Sequence, residues 1–501
     1  DAWLTPTKVT ALLDPATTAL KGPMSAADKK RMGAIYDAVA DFGFVGEQHI
    51  TLATTAVNGT AMTDSSNPFT AADVGKRVVI PRAGAGAAPN TAQHITTIAA
   101  YVNAGQVTLA AAAPTAVTGA LVAWGTDNSA AETLLQDTIN NQPWAGATVL
   151  FPRSATNRYG VQTCWTFNKP VQFEGQGGSH TADAGGWQTL GGTALAWWGN
   201  SSDGGTAFQA MITFTPGNSG QALKRVSMRH IWLDCRNNDQ CQALFGLRLM
   251  SCQGHTLEDF YVQDALAGAI VMDVSTLPTE AKDTTRFSHR DVCIRQIDHT
   301  PGATTTPTTT SSANTWTTTG NQTLSLGAAN NLRTSGYVWV MTTLGYPVLV
   351  RYTGGGGTTV LTGCGIATED LPNAPASYLN AFVVEASPGN APGYRLNGPV
   401  GANTCLGVVE MLQLSYGTTW GPAALEFLNS DSIVFIQASL NGGNATTEAN
   451  GNRTRRPGVR FNGSNANAGL PARNNVFYNG DPGAGGCQSK GVKKARGAPT
   501  H

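Results

Sequence analysis

Charge is what this sequence has least of. Lys, Arg, Asp and Glu make up 13% of its 501 residues, about half the ordinary share of ~25%. The 32 basic and 32 acidic side chains cancel, so the net charge is zero. A chain that holds nucleic acid by neutralising phosphates needs a basic excess or a dense basic stripe. Neither is present, and no nucleic-acid partner is expected. Charge-laced Ala/Glu/Lys/Leu sequence is missing too, which argues against helical bundles and coiled coils. At 41% hydrophobic residues, the chain is not of the charged, weakly apolar kind that stays disordered.

Cysteine is sparse and wrongly spaced for a metal or redox site. The eight are Cys164, Cys235, Cys241, Cys252, Cys293, Cys364, Cys405 and Cys487, with no Cys-x-x-Cys among them. No metal and no cofactor are therefore expected, and the density is far below that of a disulfide scaffold. The thiols read as small buried apolar groups, with Cys235 and Cys241 the one close pair suited to bridging a loop. No apolar run reaches 18 residues, so no membrane span is expected. The chain opens at Asp1 without a basic-then-apolar leader. GQGGSH from Gly175 lacks the phosphate-loop pattern, and no phosphate or dinucleotide site is expected.

What is abundant is Gly, Thr, Asn and Val, the profile of many short strands joined by tight turns. Residues 1–43 are the most helical stretch, with Ser25 as N-cap, Ile35, Tyr36 and Val39 at helical spacing, and Gly43 as terminator. Residues 44–124 read as a small β module containing HITLATTAV, RVVIPRA and QVTLAAA. At 125–142 the pattern turns helical: Ser129 and Glu132 suggest a capping box, and Leu135 and Ile139 continue the spacing.

From Gly146 onward a unit recurs: RHIWLDCRNN, LEDFYVQDA, HRDVCIRQI, SDSIVFIQA and RNNVFYNG. Ile231, Phe260 and Val292 occupy equivalent places, at intervals of 29 and 32 residues. A period of this size suggests stacked coils of a solenoid with about three short strands each. Stacking buries the inward residues of successive coils, which accounts for a long core with few charges. The solenoid is expected over 125–299 and again over 401–489. Between them, residues 300–400 read as a Thr-rich linker plus an inserted β domain with YVWVMTT, PVLVRYT and TTVLTG. The basic tail, 490–501, is expected to be disordered.

GTDNSAAETLLQDTIN from Gly125, followed by GATVLFP, YGVQTCWTF and VQFEGQGG, resembles the lead-in to a pectate-lyase-like parallel β-helix of the phage tailspike and minor tail protein type. FTAADVGKRVVI from Phe69 is similar to a small β module that often precedes such helices in phage tail proteins. PVLVRYTGGGGTTVLTGC is similar to modules in minor tail proteins of phages from high-GC hosts. The resemblance covers residues 60–300 and 420–480. It implies an all-β fold: a right-handed parallel β-helix (solenoid) with a short N-terminal helix, a small N-terminal β module and a β insertion. It also implies a spike, fibre or minor tail subunit in the virion tail, homotrimeric, with other phage tail proteins as neighbours and a bacterial surface glycan as target. Two alternatives stand beside it: a secreted polysaccharide lyase or glycoside hydrolase acting alone, and a structural virion component without catalysis. The chain departs from the pattern at Asn128 and Ser129, where a second acidic residue and Thr are usual. No residue set matches the catalytic signature of any one lyase or hydrolase family.

Glycoside hydrolysis needs two carboxylates about 5–5.5 Å or 6.5–9.5 Å apart, and neighbouring coils lie about 4.8 Å apart. The candidates are Asp234, Glu258, Asp259, Asp264 and Asp291, with Asp234, Asp264 and Arg295 falling close in the coil alignment. Elimination needs a base and a group that neutralises the sugar carboxylate, for which His289 and Arg295 are candidates. If Ile231, Leu233, Phe260 and Val262 face inward, Trp232 and Tyr261 face out as an aromatic pair flanked by Gln263, a platform for a sugar or a second copy of the chain. Val434 and Phe477 would extend the same face. Strand-end acids also serve as turn residues, and a one-residue shift of phase would put Trp232 and Tyr261 in the core.

Overall fold

The computed structural model describes residues 35–85, 93–142, 146–177, 192–199, 208–216, 222–235, 243–273, 284–296, 322–341, 347–366, 381–397, 404–416 and 422–442, apart from a few positions inside these spans. Short strands at 308–309, 459–462, 476–478 and 487–488 complete it. Ser25, Cys241, most of the Thr-rich linker and the basic tail lie outside the described residues.

The described N-terminal segment begins as a strand. β1 (Ile35–Asp37) pairs in parallel with a later strand, and α1 (Ala38–Phe42) is a single turn. The helical spacing expected for Ile35 and Tyr36 gives way because pairing satisfies their backbone groups. Asp37 caps the turn, its Oδ1 accepting from the amides of Val39 at 2.8 Å and Ala40 at 3.0 Å. Gly43 closes it at φ +81°, a conformation that costs glycine little.

Six antiparallel strands follow: β2 (His49–Thr55), β3 (Gly59–Thr63), β4 (Arg77–Ile80), β5 (His94–Asn103), β6 (Gln106–Ala113) and β7 (Val117–Gly125). They close into a barrel in the order β2-β3-β6-β5-β4-β7, filled by Met62, Phe69, Val78, Ile80, Ile98, Val107, Leu109 and Trp124. α2 (Ser129–Asn140) comes next, with Asn128 as N-cap. The capping box expected between Ser129 and Glu132 does not form. The Glu132 carboxylate instead accepts from the amides of Gln162 (2.8 Å) and Thr163 (2.9 Å), the Thr163 hydroxyl (2.5 Å) and Trp165 Nε1 (3.1 Å). It thus ties the helix to the first coil.

The coils are built from β8 (Ala147–Phe151), β9 (Arg158–Val161), β10 (Trp165–Phe167), β11 (Val171–Gly175), β12 (Thr193–Trp197), β13 (Gln209–Phe214), β14 (Leu223–Lys224), β15 (Ser227–Asp234), β16 (Ala243–Met250), β17 (Cys252–Gln253), β18 (Thr256–Gln263), β19 (Gly268–Asp273) and β20 (Thr284–Gln296). Six strands then form a separate antiparallel sheet: β21 (Thr308–Thr309), β22 (Gln322–Ser325), β23 (Gly336–Met341), β24 (Val348–Tyr352), β25 (Val360–Ile366) and β26 (Phe382–Glu385). The coils resume with β27 (Tyr394–Asn397), β28 (Thr404–Tyr416), β29 (Leu425–Leu428), β30 (Ser430–Ile436), β31 (Ser439–Gly442), β32 (Val459–Asn462), β33 (Val476–Tyr478) and β34 (Cys487–Gln488).

Two long parallel sheets result. One runs β1-β8-β11-β15-β18-β20-β28-β30-β33 and the other β10-β13-β16-β19-β27-β29-β32-β34. The chain alternates between them, adding a rung to each. Ile231 pairs with Phe260 and Phe260 with Val292, the register that the 29- and 32-residue intervals anticipate. Between the sheets runs one apolar core, densest at its start, where Phe151, Trp165, Phe167, Phe173 and Phe214 pack ring on ring. The inserted sheet rests on the second parallel sheet through Tyr337, Trp339, Leu349 and Val384 against Ala210, Phe245, Leu266 and Val271.

The rungs of the first sheet bend. His230, Asp259, Asp291, Met411 and Gln437 stand in register with φ between +46° and +55°. A left-handed residue costs roughly 1–2 kcal/mol for non-glycine, so the bend persists because the neighbouring rungs impose it. It also resets the alternation of faces. Ile231, Phe260 and Val292 point inward just after the bend, yet Met228, Leu257 and His289, three positions earlier, are also buried in the core while Arg229, Glu258 and Arg290 face outward.

Candidate functional site

Each rung presents two outward positions beyond the bend. In register along the first stand Ala194, Trp232, Tyr261 and Cys293; along the second, Ala196, Asp234, Gln263 and Arg295. Arg158 on β9 occupies the rung before Ala194. The methyl of Ala194 leaves room for the long side chain to cross a rung. The guanidinium lies over the Trp232 ring, 5.1 Å from its centroid, and its Nη2 donates to Asp234 Oδ2 at 2.6 Å. Tyr261 stacks on the indole with centroids 5.6 Å apart and planes 24° from parallel.

This settles where the aromatic pair stands. Trp232 and Tyr261 do point away from the main core, but they are buried, at 2% and 5% exposure. The indole lies between the Arg158 guanidinium and the Tyr261 ring, so it is not the exposed platform anticipated from sequence. Val434 does not continue that column, since it aligns with Val408, and the backbone register sets Phe477 beside Phe435 rather than beside Trp232 and Tyr261.

Asp234, Gln263 and Asp264 are buried as well. Asp264 joins the cluster through its amide, which donates to the Arg295 carbonyl at 2.9 Å. Tyr261 Oη donates to Gln263 Oε1 at 3.5 Å. Burial raises the Tyr261 hydroxyl pKa, Cys293, Asp264 and Asp234 add to the rise, and Arg295 opposes it. The sequence alignment of Asp234, Asp264 and Arg295 therefore corresponds to a spatial cluster. Cys293 is held up at about 12, by burial first and then by Asp291, so its thiol stays protonated and non-nucleophilic.

His289 is not a surface residue. Uninterrupted alternation from Val292 places it outward; the bend at Asp291 turns it inward, where it is fully buried. There its Nδ1 meets Tyr394 Oη at 3.1 Å, and its ring lies 5.1 Å from that of His255. Burial, then His255, lowers its pKa well below the usual imidazole value. It has no reach to a sugar laid along the coils.

The longest solvent-facing column lies before the bend. Glu174, Arg229, Glu258, Arg290 and Glu410 occupy successive rungs in one column, alternating in sign. Arg229 Nε stands 3.4 Å from Glu258 Oε2, with the two side chains 43% and 38% exposed. His230 Nδ1 contacts Glu174 Oε1 at 2.8 Å. Asp259 and Asp291, at the bend on adjacent rungs, are partly exposed beside this column. Of the five candidate carboxylates, Glu258, Asp259 and Asp291 therefore lie on or beside this ridge, while Asp234 and Asp264 lie in the buried cluster. The ridge carries carboxylates on adjacent and next-but-one rungs, separations of about 5 and 10 Å at ladder spacing.

Sequence reasoning missed the ridge, although a signal for it exists. RHIWL, EDFYV, RDVCI and EMLQL, aligned on their coils, show Arg, Glu, Arg and Glu at the same offset. Arg158 had no such signal, since its reach depends on Ala194 one rung away. Among the described residues, no group of three His, Cys, Asp or Glu side chains is placed to hold a metal ion. Among them, too, no helix is long and apolar enough to cross a membrane.

No protein-family model and no curated protein sequence matches the chain. Among solved structures it is similar to ORF18 of Geobacillus virus E2, at 13% identity and a TM-score of 0.25, over 72% of this chain and 59% of that one. It is similar to the tailspike protein gp49 from Pseudomonas phage LKA1, at 10% identity and a TM-score of 0.16, over 80% and 59%. It is similar to the catalytic domain of a GH87 alpha-1,3-glucanase in complex with nigerose, at 10% identity and a TM-score of 0.24, over 87% and 74%. The chain thus spans about three fifths of the length of the first two. These scores are too low to carry an argument about this chain, whose nearly all-β build with parallel sheets follows from the strand pairings above.

Proposed function

We propose that this chain is a phage tail spike, fibre or minor tail protein whose coils form a right-handed parallel β-helix and bind a bacterial surface polysaccharide during attachment. The barrel, the coil stack and the inserted sheet would be its three units. The observation that carries the reading is the partly exposed, solvent-facing ridge of Glu174, Arg229, Glu258, Arg290 and Glu410, repeated rung by rung. An extended polymer is met best by hydrogen-bonding groups that repeat at a fixed interval along a rigid face, and stacked rungs supply one about every 4.8 Å. The coil architecture and the GTDNSAAE lead-in support the tail assignment. The proposed assembly is a homotrimer, in the virion tail, alongside other tail proteins.

The same ridge suits hydrolysis better than elimination. Glu258 with Asp291, or Asp259 with Asp291, offers paired carboxylates at rung spacing, whereas His289, the base proposed for elimination, is sealed in the core. The test is incubation with a panel of host capsule and cell-wall glycans, followed by measurement of retention and of new reducing ends. Binding that weakens in Glu258→Gln and Arg290→Ala supports the reading. If reducing ends appear, Glu258→Gln or Asp291→Asn should lower their rate by about 10²–10⁴. Absence of binding across the panel, with a monomer by light scattering, would sink the tail assignment in favour of a free enzyme or a structural component.

A further inference from the structure

The core of a solenoid is expected to be apolar, yet this one encloses two imidazoles at the coil where the inserted sheet leaves and returns. His255 and His289 are buried at 1% and 0% exposure, their centroids 5.1 Å apart. Phe287 completes the triangle, 5.2 Å from His255 and 4.9 Å from His289. Neither nitrogen of His255 and not the Nε2 of His289 has a hydrogen-bond partner. The backbone of Cys252 favours a proton on His255 but stands outside good hydrogen-bond geometry. The one bond to the pair, His289 Nδ1 to Tyr394 Oη at 3.1 Å, joins β20 to β27. Those strands flank the inserted sheet, so the bond fastens the coil across the insertion.

The groups facing the pair are Tyr394 from β27, the Cys252 backbone after β16, and the apolar Met228, Leu257, Phe287 and Val409 from β15, β18, β20 and β28. Of the charged residues on these strands, Arg229, Glu258, Arg286, Arg290 and Glu410 lie on the solvent side, with Asp259, Asp291 and Arg295 partly exposed; the buried Asp234 and Arg395 are engaged elsewhere, by Arg158 and by the Pro347 carbonyl. Among the described residues, no carboxylate faces the pair to compensate a proton gained inside.

We propose that His255, His289 and Tyr394 form an acid-sensitive clasp that opens the coil carrying the inserted sheet as pH falls. Burial holds both rings neutral, His255 down to a pKa of about 3 and His289 well below its ordinary value. An opening that admits water restores an ordinary value of ~6.5. A depressed folded pKa means stability that is present above that value and lost below it. Each proton gained on opening multiplies the opening constant about tenfold per pH unit, and two multiply it about a hundredfold.

The test is amide hydrogen exchange read by mass spectrometry on the full chain at pH 7.5, 6.5, 5.5 and 5.0, corrected for the intrinsic exchange rate at each pH. Peptides covering β18, β20 and β27 should lose about five- to thirtyfold of protection between pH 6.5 and 5.5, with β8 and β11 as the unaffected reference. Tyr394→Phe should lower protection at every pH and keep the slope, because it removes a bond and no titrating group. The double variant His255→Leu with His289→Leu should abolish the slope. A wild-type slope no steeper than that of β8 and β11, or a slope that survives in the double variant, would overturn the proposal. Should the double variant not fold, the wild-type comparison decides alone.

Discussion

Glu132 sits where a carboxylate is costly and yet receives four donors, and the balance can be read from pH. It is fully buried, and desolvation raises its pKa from 4.5 to about 6 despite the opposing bonds from Thr163, Gln162 and Trp165. A carboxyl favoured in its protonated form by the fold adds stability that is complete below its unfolded pKa and lost as pH rises through the folded one. At 1.36 kcal/mol per pKa unit, the full loss from well below pH 4.5 to well above pH 6 is about 2 kcal/mol. Glu132→Gln cannot ionise. Its amide must turn an N–H toward one of the donors, most cheaply the Gln162 amide, at a cost of about 1–3 kcal/mol. The variant should therefore be less stable than wild type at pH 4.5, with a gap that narrows by about 2 kcal/mol at pH 8. Guanidinium denaturation followed by tryptophan fluorescence measures this, with Trp165 in contact with the substituted group. A gap that is the same at both pH values would show that the carboxylate is not held against desolvation, and the reasoning would fail.

Other substitutions probe the remaining contacts. Arg158→Met removes the ion pair to buried Asp234 and should destabilise the coils by about 3–5 kcal/mol in denaturant titrations; near-neutrality would show that the pair is dispensable. Ala194→Leu fills the gap that Arg158 crosses and should act in the same direction, with a change in tryptophan emission as Trp232 loses its guanidinium neighbour. Gly407→Ala would drive a Cβ into the Phe287 ring, and overpacking of this kind costs about 1–3 kcal/mol, visible as a lower thermal midpoint. Arg229→Glu sets three like charges in a column with Glu174 and Glu258. Because those side chains are partly exposed, the loss should stay near or below about 1 kcal/mol and shrink with salt.

The all-β class, the parallel coils and their register were legible because inward residues must be apolar at every repeat. Ile231, Phe260 and Val292 show that constraint directly, and the sequence interval equals the pairing. The clustering of Asp234, Asp264 and Arg295 was legible for the same reason. Exposure was not. Trp232 and Tyr261 have outward phase and are nonetheless covered, since burial of an outward column depends on what crosses it from other rungs, here Arg158 over Ala194. His289 was misplaced because period-two alternation assumes a continuous strand, and the left-handed residue at Asp291 breaks it.

Composition and spacing by themselves determined that the chain stacks strands around a long, charge-poor core. Those properties depend on which residues recur, and recurrence is local information. Tertiary structure alone decided which charges meet. It set Glu258 on a solvent-facing ladder, sealed Asp234 against Arg158, and turned two histidines into the core. Each outcome depends on a neighbour one or more coils away and on a backbone bend that only the stacked rungs hold in place.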